Sequence, residues 1–346
     1  MPYLINVYAT VVQLPAKNFP HSHHSERDRD HPEMAEHLKE VWSRAASRGG
    51  RKMNYLKFYL VQHLVRARHH ICLTIQDEDV DAFSDWAVSV NGLLYIEPSL
   101  FLDPRGYTFL LPEGAPEEDD AQVPFPDDAV KRKERHMEDF ARRGWKVQAA
   151  LPPVLGEAEV LLRSEEETAL RLFALLTTAT QANHMLKGEA DHAASIREFL
   201  LCPSRRDDLT REELAFITND QPSEQDMLDF VWRFEAVNVL AWALGIEAEF
   251  AFPIEYCDLE KVVTKLEAAM EGPEDYPPEF RPLSEILDQL DLHYRLHWII
   301  KRANLDNQSP PDGLLPDVIR ERHRALNWLT GFRNLDSEWD YTSTGT

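Results

Sequence analysis

Apolar and polar positions in the first 111 residues follow two different periods. Residues 5–11 alternate apolar with polar side chains, the period of a half-buried strand, whereas residues 53–68 carry apolar side chains at helical spacing. These periods predict strands at residues 5–11, 71–75, 93–96 and on either side of a turn at residues 103–106, with helices at residues 33–47, 53–68 and 79–90. Strands that alternate with helices indicate a small N-terminal α/β domain.

Residues 112–128 interrupt this pattern with seven acids, four prolines and no basic residue. Because prolines disfavour helices and sheets and like charges repel, this stretch predicts a solvated linker or a long loop. Beyond it the spacing is helical, and the predicted helices lie at residues 127–143, 164–182, 191–201, 210–218, 226–245, 257–270, 283–305 and 315–331. The predicted fold is therefore α+β: a small α/β domain (residues 1–111), the linker (112–128) and a larger, mostly α-helical domain (129–346).

A polar stretch at residues 21–31 contains His21, His23, His24 and His31 among many charged residues. Histidine clusters bind metal ions, but a flexible loop supplies no preformed ligand geometry. We therefore interpret the stretch as a charged loop in which metal binding is adventitious.

Composition narrows the class of function. The chain has 37 Lys and Arg against 60 Asp and Glu, a formal net charge of −23. Such an acidic surface repels phosphate backbones, so no nucleic-acid partner is expected. The chain contains no apolar run of membrane-spanning length and no signal peptide at its start, so no membrane association is expected. The three cysteines are far apart and lack C-x-x-C spacing, which favours a reducing cytoplasm.

The common catalytic and nucleotide-binding motifs are absent. There is no G-x-G-x-x-G, no P-loop and no G-x-S-x-G sequence, and nothing predicts a cofactor. The informative residues are charged and amide side chains inside three apolar helices of the last third. Buried polar groups are costly unless each finds a partner, so these residues predict a polar network that is either a structural lock or a functional site.

The helix predicted at residues 226–245 places Glu235, Asn238 and Trp242 on one stripe, with Arg233 almost opposite. A glutamate in such an apolar helix must pair with a cation or take a raised pKa, and its predicted partner is Arg295 or Arg322. The full candidate set for the polar network or ligand site is Arg233, Glu235, Asn238, Trp242, Tyr294, Arg295, His297, Glu321, Arg322, His323 and Asn327.

The helix predicted at residues 283–305 places His293 and His297 four residues apart, as two metal ligands on a helix would be. Zinc-hydrolase helices carry a glutamate directly after the first histidine, whereas Tyr294 stands there in this sequence. A third ligand is also missing from the pattern. We therefore expect no metal site, and interpret both histidines as neutral groups at a helix interface.

The C-terminal segments also carry a resemblance to a known family. SEQDMLDFVWRFEAVNVLAWALG, LDLHYRLHWIIKRANL, VIRERHRALNWLTGF and the polar end WDYTSTGT follow one another in the order found in the bacterial domain-of-unknown-function family 4272, which they resemble. The similarity covers about residues 147–346, and the opening INVYAT is similar too. The resemblance implies a cytoplasmic bacterial protein but supplies no activity, cofactor or catalytic residue.

Two functions fit these observations. The first is a non-enzymatic cytoplasmic binding protein that inhibits or neutralises a basic protein partner, favoured by the net charge of −23 and the absence of a catalytic motif. The second is a hydrolase or transferase acting on a small anionic substrate, with Glu235 or a histidine as acid/base and Arg295 or Arg322 as anion clamp. A pocket lined by these side chains would favour the enzyme.

Overall fold

The computed structural model of the protein describes residues 2–47, 55–98, 100–109, 121–271, 279–332 and 338–345. The chain divides into two compact units, one formed by residues 1–131 and 150–160, the other by residues 132–149 and 161–346. The first contains a β-sheet with helices and the second is mostly helical, which confirms the predicted α+β class. Most of the predicted linker lies outside the described residues, so the boundary at residues 112–128 stays a prediction.

The first unit is built on a five-stranded sheet in which all neighbouring strands are antiparallel. Its order is β2-β3-β1-β4-β5. The strands are β1 (Tyr3–Ala9), β2 (Ser22–Asp28), β3 (His69–Ile75), β4 (Leu93–Ile96) and β5 (Leu100–Leu102). The central strand β1 pairs with β3 along its whole length, from Tyr3 opposite Ile75 to Ala9 opposite His69. The predicted alternation of strands and helices along the chain is present. The order of the strands within the sheet was not readable from the sequence.

Strand β2 corrects our interpretation of the polar stretch at residues 21–31. Part of that stretch is an edge strand paired with β3 rather than a loop. Its side chains are exposed or half-buried, so no apolar alternation marks it, and the backbone pairing alone defines it. Edge strands commonly carry charged residues because these discourage pairing with other chains.

Helices pack on both faces of the sheet in the first unit. They are α1 (Met34–Ser47), α2 (Tyr55–Arg66) and α3 (Val80–Ser89). Because successive side chains of a strand point to opposite faces, β1 contributes to two apolar clusters. Val7 belongs to the cluster that contains Phe83 of α3, and Tyr8 belongs to the cluster that contains Leu60 of α2.

Capping residues set the ends of several of the remaining helices. These helices are α4 (Asp127–Arg142), α5 (Glu165–Leu186), α6 (Ala190–Leu200), α7 (Pro203–Arg206), α8 (Arg211–Thr218), α9 (Glu224–Val231), α10 (Phe234–Ala243), α11 (Leu259–Glu271), α12 (Leu283–Leu305) and α13 (Pro316–Thr330). Ser164 Oγ accepts a hydrogen bond from the Glu167 amide at the start of α5, and Gly331 ends α13 with a φ of 65°. None of the described helices has the length and apolar character needed to cross a membrane.

The prediction of one continuous helix over residues 226–245 was wrong. Helices α9 and α10 are separated by a turn at Trp232 and Arg233. In this turn the amides of Arg233 and Glu235 bond to carbonyls three residues back, those of Phe230 and Trp232, so the α-helical ladder is interrupted. No glycine or proline marks the break, and both helices are apolar, so the periodicity alone cannot reveal it. The break places Arg233 next to α8.

Candidate functional site

Glu235 of α10 and Arg322 of α13 form a buried ion pair in the helical unit. Arg322 Nε donates to Glu235 Oε2 at 2.8 Å, and both side chains are almost fully buried. The amide of Cys257 donates to Glu235 Oε1 at 2.7 Å, and Arg322 Nη1 donates to the carbonyl of Ala251 at 2.6 Å. Of the two partners predicted for Glu235, Arg322 is the one that it meets.

Arg295 forms a separate buried pair within α12. Its Nε and Nη2 each donate to an oxygen of Asp291, both at 2.7 Å, and His136 Nδ1 donates to the same carboxylate at 2.8 Å. Burial opposes ionisation of Asp291, but the hydrogen bonds from His136 and Arg295 hold its pKa below the usual value. Asp291 precedes Arg295 by four residues, the favourable order of acid before base on a helix, and its carboxylate is the partner of Arg295 inside the core.

The histidines of α12 are buried, neutral groups. His293 donates from Nδ1 to the carbonyl of Gln289 at 2.8 Å, and the Nδ1 atoms of His297 and His323 lie 3.0 Å apart. Burial lowers the pKa of His293 to about 3 and that of His297 to about 4. Each is therefore uncharged at neutral pH and takes part in helix packing.

Four further candidates pack in the interior of the helical unit. Trp242 stacks on Phe250 with ring centroids 4.9 Å apart, and Tyr294 meets Phe332 edge-on at 5.8 Å. Asn327 Nδ2 donates to the carbonyl of Ser343 at 2.7 Å, which fixes part of the C-terminal segment on α13. Asn238 is buried on α10.

Arg233 belongs to a second ionic cluster, centred on Glu213 of α8. Glu213 has no exposed surface, and its carboxylate accepts from Arg171 Nη2 at 2.5 and 2.6 Å, from Arg233 Nη1 at 3.1 Å and from the Thr210 amide at 2.9 Å. Burial lowers the pKa of Arg233, opposed by the Glu213 carboxylate. Glu213 and Arg171 were not predicted from the sequence, in which Glu213 shows only the capping pattern that it forms with Thr210 at the start of α8.

This cluster lies beside a cleft of about 520 Å³ between α8, α9 and α13. The stacked rings of Phe216 and Phe230, with centroids 3.9 Å apart, form its apolar part, and the Arg233 guanidinium lies 3.8 Å above the Phe230 ring. The lining residues are Glu212, Ala215, Phe216, Asn219, Asp226, Asp229, Phe230, Arg233, Arg320, Glu321 and Arg324. Of the candidates predicted from the sequence, Arg233 and Glu321 are thus brought together here.

Charges of both signs face this cleft, which we call the α8–α9–α13 cleft. Arg320 reaches Glu321 Oε1 at 3.2 Å and Asp317 at 2.9 Å, yet its side chain remains 43% exposed. Arg324 Nη2 donates to the Trp339 carbonyl at 3.1 Å. Glu321 Oε2 is buried and has no hydrogen-bond partner within the described residues. The cleft therefore offers polar groups that protein contacts do not fully satisfy.

A group of three side chains that was not predicted from the sequence could hold a metal ion. His184, Glu189 and His192 place one ligand atom each within 4.8 Å of the others. They come from the end of α5, the connecting turn and the start of α6, so no single helical period relates them. The feature of the sequence that could have predicted this group is its spacing, H-x4-E-x2-H.

Comparison with known proteins identifies a family but no characterised relative. A search of curated proteins finds no match to the chain, and a search of solved structures finds none either. Residues 132–342 match the family described as a domain of unknown function (DUF4272), which confirms the resemblance seen in the C-terminal segments. The matched region contains the Glu235–Arg322 pair and the whole α8–α9–α13 cleft. The chain belongs to the DUF4272 family.

Proposed function

We propose that the helical unit is a non-enzymatic binding module for a small molecule carrying both an anionic and a cationic group. The observation that carries this proposal is the α8–α9–α13 cleft, lined by three arginines and four carboxylates. Its volume of about 520 Å³ falls within the range of about 300–1,000 Å³ usual for small-molecule sites.

The anionic end of the ligand fits α13. Arg320 and Arg324 stand four residues apart, so their side chains are neighbours on one helix face. A guanidinium carries five N–H donors, more than the protein contacts of Arg320 use, and it binds carboxylates and phosphates in a two-point geometry. Arg233, which Glu213 holds in place, adds fixed positive charge to the same cleft.

The cationic end of the ligand fits the carboxylates of α8 and α9, of which Glu212 also lies 3.4 Å from Arg233 and 3.8 Å from Arg324. Glu212 of α8 and Asp226 and Asp229 of α9 are exposed carboxylates that line the cleft. Hydrogen bonds from Ser223 hold the pKa of Asp226 below its usual value, so Asp226 is ionised at neutral pH. Because four carboxylates line the cleft with three arginines, a purely anionic ligand would be repelled there, whereas an ammonium or guanidinium group on the ligand would be attracted.

The contacts of the predicted acid/base and clamp residues support binding over catalysis. Glu235, Arg295 and Arg322 are buried and bonded to protein groups, and they do not line the cleft in the described part of the chain.

A cytoplasmic location is supported by the three cysteines, which form no disulfide.

A basic protein partner is a second candidate, supported by the net charge of −23. Complementary charge speeds association and sets specificity, and it weakens as salt screens it. Such a partner should be recovered at low salt, lost at high salt, and should bind again as a purified protein. Absence of any specific partner at either salt concentration would count against this candidate.

Thermal unfolding of the full chain tests the small-molecule proposal. Three compound classes should be compared: free amino acids and short peptides (zwitterions), simple carboxylates and phosphates, and simple amines. Zwitterions should raise Tm, because a ligand at 100 times its Kd stabilises the folded state by about 2.7 kcal/mol. Arg320→Gln should reduce the shift to about half at the same ligand concentration, because a tenfold weaker site gains about 1.4 kcal/mol. Arg302→Gln, which changes an exposed arginine of α12 paired with Asp306, should retain the full shift. The proposal would be overturned if no compound class raised Tm, or if Arg320→Gln left the rise in Tm unchanged.

A further inference from the structure

Three metal-ligating side chains converge at the turn between α5 and α6. His184 lies in the last turn of α5, Glu189 stands immediately before α6, and His192 lies in the first turn of α6. His184 Nδ1 lies 2.5 Å from Glu189 Oε2, and the two imidazole rings stack with centroids 5.2 Å apart and planes 25° apart. One nitrogen of each imidazole and one carboxylate oxygen of Glu189 thus lie within 4.8 Å of one another.

The backbone of the turn fixes this arrangement. Gly188 has a φ of 73°, a left-handed conformation that glycine adopts without strain. Its amide donates to the Met185 carbonyl at 3.1 Å, and the Glu189 amide donates to the His184 carbonyl at 2.9 Å. The apolar cluster containing Ala182 of α5 and Leu200 of α6 holds the two helices together. The three ligand positions are therefore set by two helix ends and a short bonded turn, unlike the histidines of the edge strand β2.

We propose that His184, Glu189 and His192 bind a divalent transition-metal ion, with zinc as the best match. Two imidazole nitrogens and one carboxylate oxygen are ligands that zinc accepts at about 2.0–2.2 Å, and imidazole disfavours calcium and magnesium. Around a tetrahedral ion at such distances, ligand atoms lie roughly 3.3–3.5 Å apart, so the present spread of 4.8 Å closes by side-chain rotation.

Metal binding would replace one hydrogen bond with three bonds between the ion and its protein ligands. It would replace the hydrogen bond between His184 and Glu189 and release any proton shared there, since metal ligands must be deprotonated. The ion's bonds to His184 and His192 would join the ends of α5 and α6. With three protein ligands, the fourth coordination position would be open to water. The side chains of His184 and Glu189 are 24% and 44% exposed, so an ion reaches them without opening the fold.

Calorimetric titration of the full, untagged chain with zinc chloride, alongside the visible spectrum with Co²⁺, tests this site. We expect one zinc ion per chain, a rise in Tm, and visible bands of tetrahedral Co²⁺. His192→Ala and Glu189→Gln should each weaken binding by at least about tenfold, because each removes a ligand. Since Glu189 and His192 are exposed, both variants should retain the far-UV circular dichroism of the parent chain.

The matched control is the double variant His23→Ala with His24→Ala, which removes two histidines of the edge strand β2. It should bind zinc as the parent chain does and show the same Co²⁺ bands. Zinc binding that is lost in this control but retained in His192→Ala would place the ion on β2 and overturn the proposal. The same holds if the parent chain binds no zinc at micromolar concentration, which would reduce the cluster to a surface ion pair.

Discussion

Arg322 of α13 donates from Nε to Glu235 of α10 at 2.8 Å, with the two side chains 0% and 3% exposed. The pair joins two helices of the core, and each partner makes one further hydrogen bond to the backbone: Arg322 Nη1 donates to the Ala251 carbonyl, and Glu235 Oε1 accepts from the Cys257 amide. A buried pair of this kind adds little net stability over an apolar substitute of the same shape, because both charges are desolvated. Its importance lies in what happens when one partner is removed.

We expect Glu235→Ala to lower the free energy of unfolding by about 3–5 kcal/mol, because it leaves the Arg322 charge buried without its carboxylate. The double variant with Arg322→Met should recover part of that loss, and chemical denaturation of all four chains in the cycle measures the coupling. Glu285→Ala, at an exposed glutamate paired with Arg281, is the control and should change stability by less than about 1 kcal/mol. An unchanged or raised Tm in Glu235→Ala would contradict the structural role of this pair.

Two adjacent glutamates of α8 provide a second comparison. Glu213 is buried between Arg171 and Arg233, whereas Glu212 is 55% exposed and lies 3.4 Å from Arg233. Glu213→Gln removes the charge that two buried guanidinium groups share, so we expect a loss of about 3 kcal/mol. Glu212→Gln should change stability by less than about 1 kcal/mol, as exposed pairs do. If the two substitutions lowered the free energy of unfolding equally in urea, Glu213 would not be the residue that stabilises this ionic cluster.

The buried histidines should make the helical unit less stable in acid. The pKa of His293 is about 3 and that of His297 about 4, both below the unfolded value of about 6.5. Between those values the unfolded chain binds protons that the folded chain does not, so stability falls as pH decreases from about 6.5 towards 4. His293→Gln should reduce this slope by about 1.4 kcal/mol per pH unit, measured by urea unfolding at several pH values. A stability difference between the two chains that stays constant from pH 7 to pH 4 would contradict this expectation.

A cut in the predicted linker should leave the first unit assembled. The composition of residues 112–128 predicts cleavage there by a protease that cuts after acidic residues. Residues 150–160 belong to the first unit, where the Val12 amide donates to the Ala158 carbonyl at 2.8 Å and Asn91 Nδ2 donates to Glu159 at 3.2 Å. The two fragments should therefore co-elute in size-exclusion chromatography and separate only in denaturant. Resistance of residues 112–128 to cleavage, or separate elution without denaturant, would show this expectation to be wrong.

Local signals in the sequence were sufficient for most helices and for the central strands. The bounds predicted for α12 match the structure, and Ser164 and Gly331 mark the ends of helices by chemistry that acts within a few residues. Strand β2 was missed because an exposed edge strand has no apolar face. The break at Trp232 was missed because its replacement hydrogen bonds leave no trace in composition.

The candidate site was predictable where burial alone imposes a partner. A glutamate in an apolar helix needs a cation, so the partner predicted for Glu235 was Arg295 or Arg322, and Glu235 pairs with Arg322. The α8–α9–α13 cleft depends instead on which side chains of three distant segments converge, and spacing along one helix carries no such information. Glu213 showed only a capping pattern, and Gly188 breaks the helical period that would relate His184 to His192.

The most direct test of the proposal that the α8–α9–α13 cleft binds a zwitterion is a calorimetric titration with the compound that raises Tm most. Both charged ends should matter: Arg320→Gln and Asp229→Asn should each weaken binding about tenfold, a change of about 1.4 kcal/mol. Asp306→Asn, which changes an exposed aspartate at the end of α12, should bind as tightly as the parent chain. Equal affinity in all four proteins would contradict the account and place the ligand outside the α8–α9–α13 cleft.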